Sequence, residues 1–269
     1  MSPLPQPIRK DNVLEKLEYA EEQRNELNKA LFGSYETDEL PKFVSMRAEG
    51  VLTNARECFD YLAHDLIEGY LIPTAPAKFV ASYKSGKEKT YFPFYAGQLT
   101  QPRWPWHQFK TVEKTVFDNL KGFIDAIDQH QFLGNTSSDA RYFRVVQEMV
   151  NEKKHSKVTH YEAVAEAAVF HKGPMGSILL DKVTAAIPGL TVGSGFGGGE
   201  PKLVPAFRFS ANGCDVPDLC LFAVSATRTV MDWFYETFFQ PTGHRIDTSG
   251  PMMVNGIPVE RPMWMYQSQ

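Results

Sequence analysis

The sequence predicts an α+β chain that is mainly α: a bundle of about five helices, with a small antiparallel β-layer inserted before the last long helix. Three observations predict it. Apolar residues recur at helical spacing in several long charged segments. The texture changes after His160 to short β-prone runs broken by Gly and Pro, and a long apolar and aromatic helix then follows. At 43% hydrophobic and 22% charged residues the chain has the composition of a folded protein rather than a disordered one.

The first ten residues hold three prolines and read as an extended arm. The first helix starts at Asp11 or Asn12, either of which can cap it. It runs through Val13, Leu14, Leu17, Leu27 and Leu31 to Gly33. Lys42 to Glu49 alternates loosely and fits a short strand or connector. Val51 to Leu71 is the second helix, with Leu52, Ala55, Phe59, Leu62, Ala63 and Leu66 on one stripe and Pro73 closing the segment. Lys78 to Tyr83 and Lys89 to Tyr95 read as two strands joined through Ser85-Gly86. Thr111 to Ile127 is the third helix. The fourth is capped by Ser137 or Ser138 and passes through Tyr142, Val145, Val146, Met149 and Val150.

Strand-like runs follow at Glu162 to Phe170, Ser177 to Val183, Gly189 to Val192 and Lys202 to Phe209. Asp215 caps a closing helix from about Pro217 to Phe239, and Asn255-Gly256 signals a hairpin in the tail. The organisation expected is therefore an arm (1–10), one composite helical domain (11–240) with its β insertion at 161–210, and a tail with a β-hairpin (241–269). The aromatic surplus of the closing helix suits the core and also a homo-oligomeric contact.

The charge balance bounds the function. Against 28 Lys and Arg stand 32 Asp and Glu, a net charge of −4, which disfavours a dedicated duplex-DNA binder. Cys58, Cys214 and Cys220 form neither a disulfide framework nor a metal knuckle, and so favour a reducing cytoplasm. No apolar run reaches the length of a membrane span or a signal peptide. No metal site and no cofactor is expected, because His155 and His160 lack a completing set of ligands.

Two polar strings carry the candidate chemistry. The fourth helix ends in Asn151-Glu152-Lys153-Lys154-His155, where Asn151 and His155 share a face with Lys154 beside them. An amide, an ammonium and an imidazole together can hold a phosphate or supply an acid or base near neutral pH. The same residues also suit an ordinary basic helix C-terminus. The second helix carries Asn54, Arg56, Asp60 and His64. Arg56 with Asp60, and Asp60 with His64, are i, i+4 pairs that also read as plain surface ion pairs. Asp60 borders the apolar stripe, where a carboxylate needs a partner. The Gly-rich run from Gly193 to Gly199 lacks the Lys-Ser/Thr of a P-loop and reads as a β-loop, and Trp104-Pro105-Trp106-His107 reads as a loop anchored by aromatic burial.

The second helix, Leu52-Thr53-Asn54-Ala55-Arg56-Glu57-Cys58-Phe59-Asp60-Tyr61-Leu62, is followed by Tyr91-Phe92-Pro93 and then by the Asn151 to His155 string. This ordered set resembles a loose group of uncharacterised bacterial and phage helical proteins with an NxRxx(F/L)DxL helix, an FP segment and an NxxKH helix end. The likeness covers residues 43–160. It implies a helical bundle and, by association alone, a role in phage–host conflict. More distantly the chain is similar to HEPN domains, helical bundles that are often dimeric and cleave RNA through an Arg and a His a few residues apart. Asn151 and His155 match that motif, but Val150 stands where the Arg belongs, which argues against nuclease activity unless Arg56 supplies the guanidinium.

The leading expectation is a binding protein for a nucleotide or RNA. Its ligand would lie between the second and fourth helices, contacted by Asn54, Arg56, Asp60, Asn151, Lys154 and His155, with Asp60 and His64 also orienting. The alternatives are a metal-independent RNase or phosphodiesterase using His155 and His64, and an assembly protein without a ligand.

Overall fold

The computed structural model describes residues 4–37, 43–129, 140–154, 161–173, 176–183, 201–210, 212–239, 252–254 and 257–259. Its long helices are α1 (Lys10–Thr37), α2 (Val44–Leu66), α6 (Lys114–Asp128), α7 (Tyr142–Lys154) and α8 (Val216–Phe239). Between α2 and α6 lie three short helices, α3 (Ala77–Lys84), α4 (Ala96–Thr100) and α5 (Phe109–Val112). The strands β1 (Tyr161–Gly173), β2 (Gly176–Val183) and β3 (Pro201–Phe209) form an antiparallel sheet in the order β2-β1-β3. A terminal pair, β4 (Met252–Val254) and β5 (Ile257–Val259), is antiparallel with Val254 opposite Ile257. The expected mainly helical α+β class, with its β-layer before the last long helix, is what the chain forms.

Several elements differ from the sequence reading. Of the run expected as a short strand or connector at 42–49, the described residues 43–49 form no strand. The chain enters α2 through Phe43 in a left-handed conformation (φ 63°), and Val44, Ala48, Val51 and Ala55 are buried at helical spacing. The hairpin expected across 78–95 is instead α3 followed by a non-helical segment. Here Ser85-Gly86 is a helix stop: Gly86 takes φ 69°, its N–H donates to Tyr83 O (2.9 Å), and the Lys87 N–H donates to Ser82 O (3.1 Å). Glycine in the left-handed region supplies that stop without a Cβ clash.

The helix expected from Thr111 begins at Phe109 and is interrupted at Glu113. Buried Phe109, stacked on Trp106 at 5.7 Å, takes the inward place and leaves Val112 exposed. Gly33 does not end α1, which runs on to Thr37. A glycine weakens a helix by about 1 kcal/mol and does not by itself stop one. The expected fourth-helix cap at Ser137 or Ser138, the strand at Gly189 to Val192 and the Gly193 to Gly199 loop lie outside the described residues.

Helices α1, α2 and α8 pack together and run through two apolar clusters. One joins Val13, Leu17 and the C-terminal half of α2 to Phe92, Phe94, Trp106, α6 and the C-terminal half of α8. The other joins Leu27, Leu31 and the N-terminal half of α2 to Val146, Met149, Phe207, Phe209 and the start of α8. The Asp218 N–H donates to Asp215 Oδ1 (3.1 Å), so Asp215 caps α8 as expected. Among the described residues no helix is long and apolar enough to cross a membrane.

After Leu66 the helix widens by one residue per turn over Ile67–Leu71, with the Ile72 N–H donating to Ile67 O (2.9 Å). Gly69 sits there because the N-terminal arm crosses it: a Cβ at Gly69 would lie 2.9 Å from Cβ of Pro5. The arm is then fixed by Asp65. That carboxylate accepts from the backbone N–H groups of Ile8 and Arg9 (both 3.2 Å), from Arg9 Nη1 (3.0 Å) and from the Tyr235 hydroxyl (3.0 Å). Its side chain is fully buried. Asp65→Ala would leave a buried hydroxyl and two amides without their acceptor and take from Arg9 one of its two carboxylate partners, the other being Glu68. It is expected to cost about 3–5 kcal/mol in urea unfolding; a decrease below about 1 kcal/mol would contradict this role.

Candidate functional site

Arg56 stands at the boundary of the two apolar clusters, between Ala55 of one and Phe59 of the other, and is 1% exposed. It is held on three sides. Its Nε donates to Gln147 Oε1 (2.6 Å), Nη1 pairs with Asp60 one turn along α2, and its plane lies over the Tyr91 ring at 5.4 Å. Burial lowers the guanidinium to about 10, which leaves it charged at neutral pH. Its Nη2 and Asp60 Oδ1 are both buried without a hydrogen-bond partner. Beside Arg56 is a cavity with free volume of about 10 Å³, lined also by Phe94, Phe143, Val146, Phe222 and Thr227. That admits one water and no phosphate.

Helices α2 and α7 therefore meet, and Gln147 makes the contact. Asn151 lies one turn further along α7 and is half-buried, and Lys154 closes that helix. His155 lies outside the described residues. The seam reaches the surface at Asp60, whose side chain is 22% exposed, and at Tyr91, 48% exposed. Next to it Tyr95 donates to Glu148 Oε1 (2.6 Å), and Arg144 covers the Tyr95 ring at 4.7 Å while donating to Phe94 O (3.0 Å).

The other two residues expected on α2 face elsewhere. Asn54 donates to Gly50 O (2.7 Å) and accepts from Lys16 Nζ (3.2 Å), which joins it to α1 rather than to the seam. His64 does not pair with Asp60. Its Nδ1 lies 2.7 Å from the Tyr83 hydroxyl and its Nε2 lies 3.4 Å from Thr90 Oγ1. Tyr83 in turn donates to Glu68 Oε1 (2.7 Å), which also binds Arg9 Nη2 (2.7 Å). Because the Tyr83 proton is committed to Glu68, His64 Nδ1 carries the hydrogen that Tyr83 accepts. Nε2 then accepts from Thr90.

Burial and the nearby Arg9 cation hold His64 below its ordinary 6.5. For Glu68, burial acts upward, but the bonds from Arg9 and Tyr83 outweigh it and leave the carboxyl below its usual range. Cys58 is buried, donates to Asn54 O (3.2 Å), and is pushed up to about 12 by burial, so it is no nucleophile at neutral pH. Among the described residues no three His, Cys, Asp or Glu side chains converge as metal ligands.

Sequence reasoning missed Gln147, Tyr91, Asp65 and the relay from Arg9 to Thr90. Asp65 had a usable signal: it lies directly before Leu66 of the apolar stripe, and a carboxylate bordering that stripe needs a partner, as Asp60 does. Gln147 and the relay had none, since their partners come from segments distant in sequence.

The low proton affinity of His64 makes stability depend on pH. Between the folded value and 6.5 the unfolded chain binds the extra proton, so stability rises with pH across that window and falls on acidification below about 6.5. The midpoint of thermal unfolding is expected to drop more steeply from pH 7.5 to pH 5 for the native chain than for His64→Gln; parallel drops would contradict the assignment. Comparison with known proteins returns no matching family model, no matching curated protein and no matching solved structure.

Proposed function

We propose that the chain is a binding protein that takes a phosphate-bearing ligand, a nucleotide or RNA, on the seam between α2 and α7. The observation that carries this reading is Asp60. It pairs with Arg56, reaches the surface, and keeps Oδ1 without a hydrogen-bond donor. A buried carboxylate oxygen with no donor is an energetic deficit, and a small local opening beside the partly exposed Asp60 side chain lets a ligand hydroxyl or amino group remove it. Tyr91 offers an aromatic surface beside it, and at the end of α7 the half-buried Asn151 and, by its place in the sequence, Lys154 are the candidates for a phosphate. Arg56 has no room to touch that phosphate; it positions Asp60 and Tyr91.

A second reading, an assembly protein without a ligand, draws on a different fact: Asn54, Arg56 and His64 each have partners within the chain.

Denaturing extraction of the purified protein, read by absorbance at 260 and 280 nm and by mass spectrometry, is expected to release a nucleotide or oligonucleotide. Calorimetry with AMP is expected to give binding that falls at least ~10-fold, about 1.4 kcal/mol, in Asp60→Asn and in Lys154→Ala. A clean extract together with no AMP heat at millimolar concentration would refute the ligand reading in favour of the assembly one.

A further inference from the structure

The chain is net acidic, yet residues 77–114 hold seven Lys or Arg against only Glu88 and Glu113. Six of those cations, Lys78, Lys84, Lys87, Lys89, Arg103 and Lys110, are exposed, and none has a carboxylate within ion-pair distance among the described residues. Elsewhere several cations are neutralised: Lys121 pairs with Asp125, Arg228 with Glu21 and Lys16 with Glu57. Among the described residues the cations without a carboxylate partner are therefore concentrated in this stretch.

That stretch converges on the seam. Lys89 Nζ lies 5.7 Å and the Arg103 guanidinium 6.0 Å from the ring of Trp104, so two segments bring their cations to one indole. The Trp106 indole N–H donates to Tyr91 O (3.0 Å), which fixes this pair of cations against the segment bearing Tyr91. Tyr91 lies over Arg56, and Arg56 reaches Asp60 and Gln147. A cationic patch, a half-exposed aromatic and a carboxylate acceptor thus follow one another without a break.

We infer that this face is a track for single-stranded nucleic acid. Its backbone phosphates lie on Lys89 and Arg103, one unpaired base lies against Tyr91, and the strand leads to Asp60 and the end of α7. The inference rests on the seam reading above and narrows it from a nucleotide or RNA to a single strand that runs beyond the seam over Lys89 and Arg103. Cations beside an exposed aromatic match a flexible strand whose bases are free to stack; a duplex hides those faces. The small number of cations on the track also fits a short strand held by a net acidic protein better than a long duplex groove.

The test is fluorescence anisotropy with 5′-labelled 12-nucleotide oligouridylate and oligodeoxythymidylate over a range of salt concentrations, beside calorimetry with AMP. The native chain is expected to bind at least one oligomer more tightly than AMP. In Lys89→Gln/Arg103→Gln, oligomer affinity is expected to fall ~10-fold or more. The log–log salt slope should flatten by about 1.4, at ~0.7 for each phosphate that is no longer neutralised, while AMP binding is unchanged. Tyr91→Ala should weaken the oligomer without changing the slope. Equal affinity for the RNA and DNA oligomers assigns recognition to backbone and base; tighter RNA binding adds a 2′-hydroxyl contact. Oligomer binding no tighter than AMP, or a double variant with native affinity and slope, would overturn the track and leave the seam reading standing. Absence of both AMP and oligomer binding would overturn the two together. Circular dichroism of each variant distinguishes an unfolded chain from a folded one that no longer binds.

Discussion

The carboxylate of Asp65 is the interaction on which the rest of the arrangement depends. It lies with no exposure near the end of α2 and gathers four donors from two separate parts of the chain: the Ile8 and Arg9 amides and the Arg9 side chain of the arm that leads into α1, and Tyr235 of α8. A buried ion costs several kcal/mol unless its acceptor sites are filled, and here four donors fill them. The consequence is geometric. Asp65 ties the arm leading into α1, the end of α2 and the C-terminal half of α8 at one point; further along α2, Phe59 packs among Phe92, Phe94, Phe123 and Phe143 with its ring centroid 5.0–6.2 Å from theirs.

Arg56 marks a second polar point on α2, nine residues earlier, and it is built differently. Asp65 is fully satisfied; the Arg56 cluster is not. Gln147 and Asp60 take two of its nitrogens, Nη2 is left over, and Asp60 Oδ1 is left over beside it. Hydrogen-bonding capacity is left unused at a buried charge, beneath the partly exposed Asp60 side chain at the edge of the α2–α7 seam. The same helix thus carries one polar point that is fully satisfied and one that is not.

Much of the architecture was legible in the sequence because amphipathic spacing is a local property. The five long helices, three of the four strand-like runs before α8, the Asp215 cap and the tail pairing all follow from patterns within single segments. What failed was local ambiguity and distant pairing. Ser85-Gly86 stops a helix as readily as it turns a hairpin, and in the fold the helix it ends packs Phe79 and Tyr83 against the core. At the site, the Arg56–Asp60 pair was readable as an i, i+4 spacing, but its burial was not, nor was its contact with Gln147, 91 residues away. His64 was grouped with Asp60 by spacing, whereas the arm and α3 draw it into the relay through Tyr83 and Glu68.

The claim that the seam, rather than the relay or the sheet, is the ligand site can be tested directly by hydrogen exchange with mass spectrometry on the native chain, with and without saturating AMP. Slower exchange is predicted in residues 88–95 and 147–154, with the arm and residues 65–72 unchanged. Protection confined to the arm or to the sheet, or no change at the two seam segments, would contradict the account.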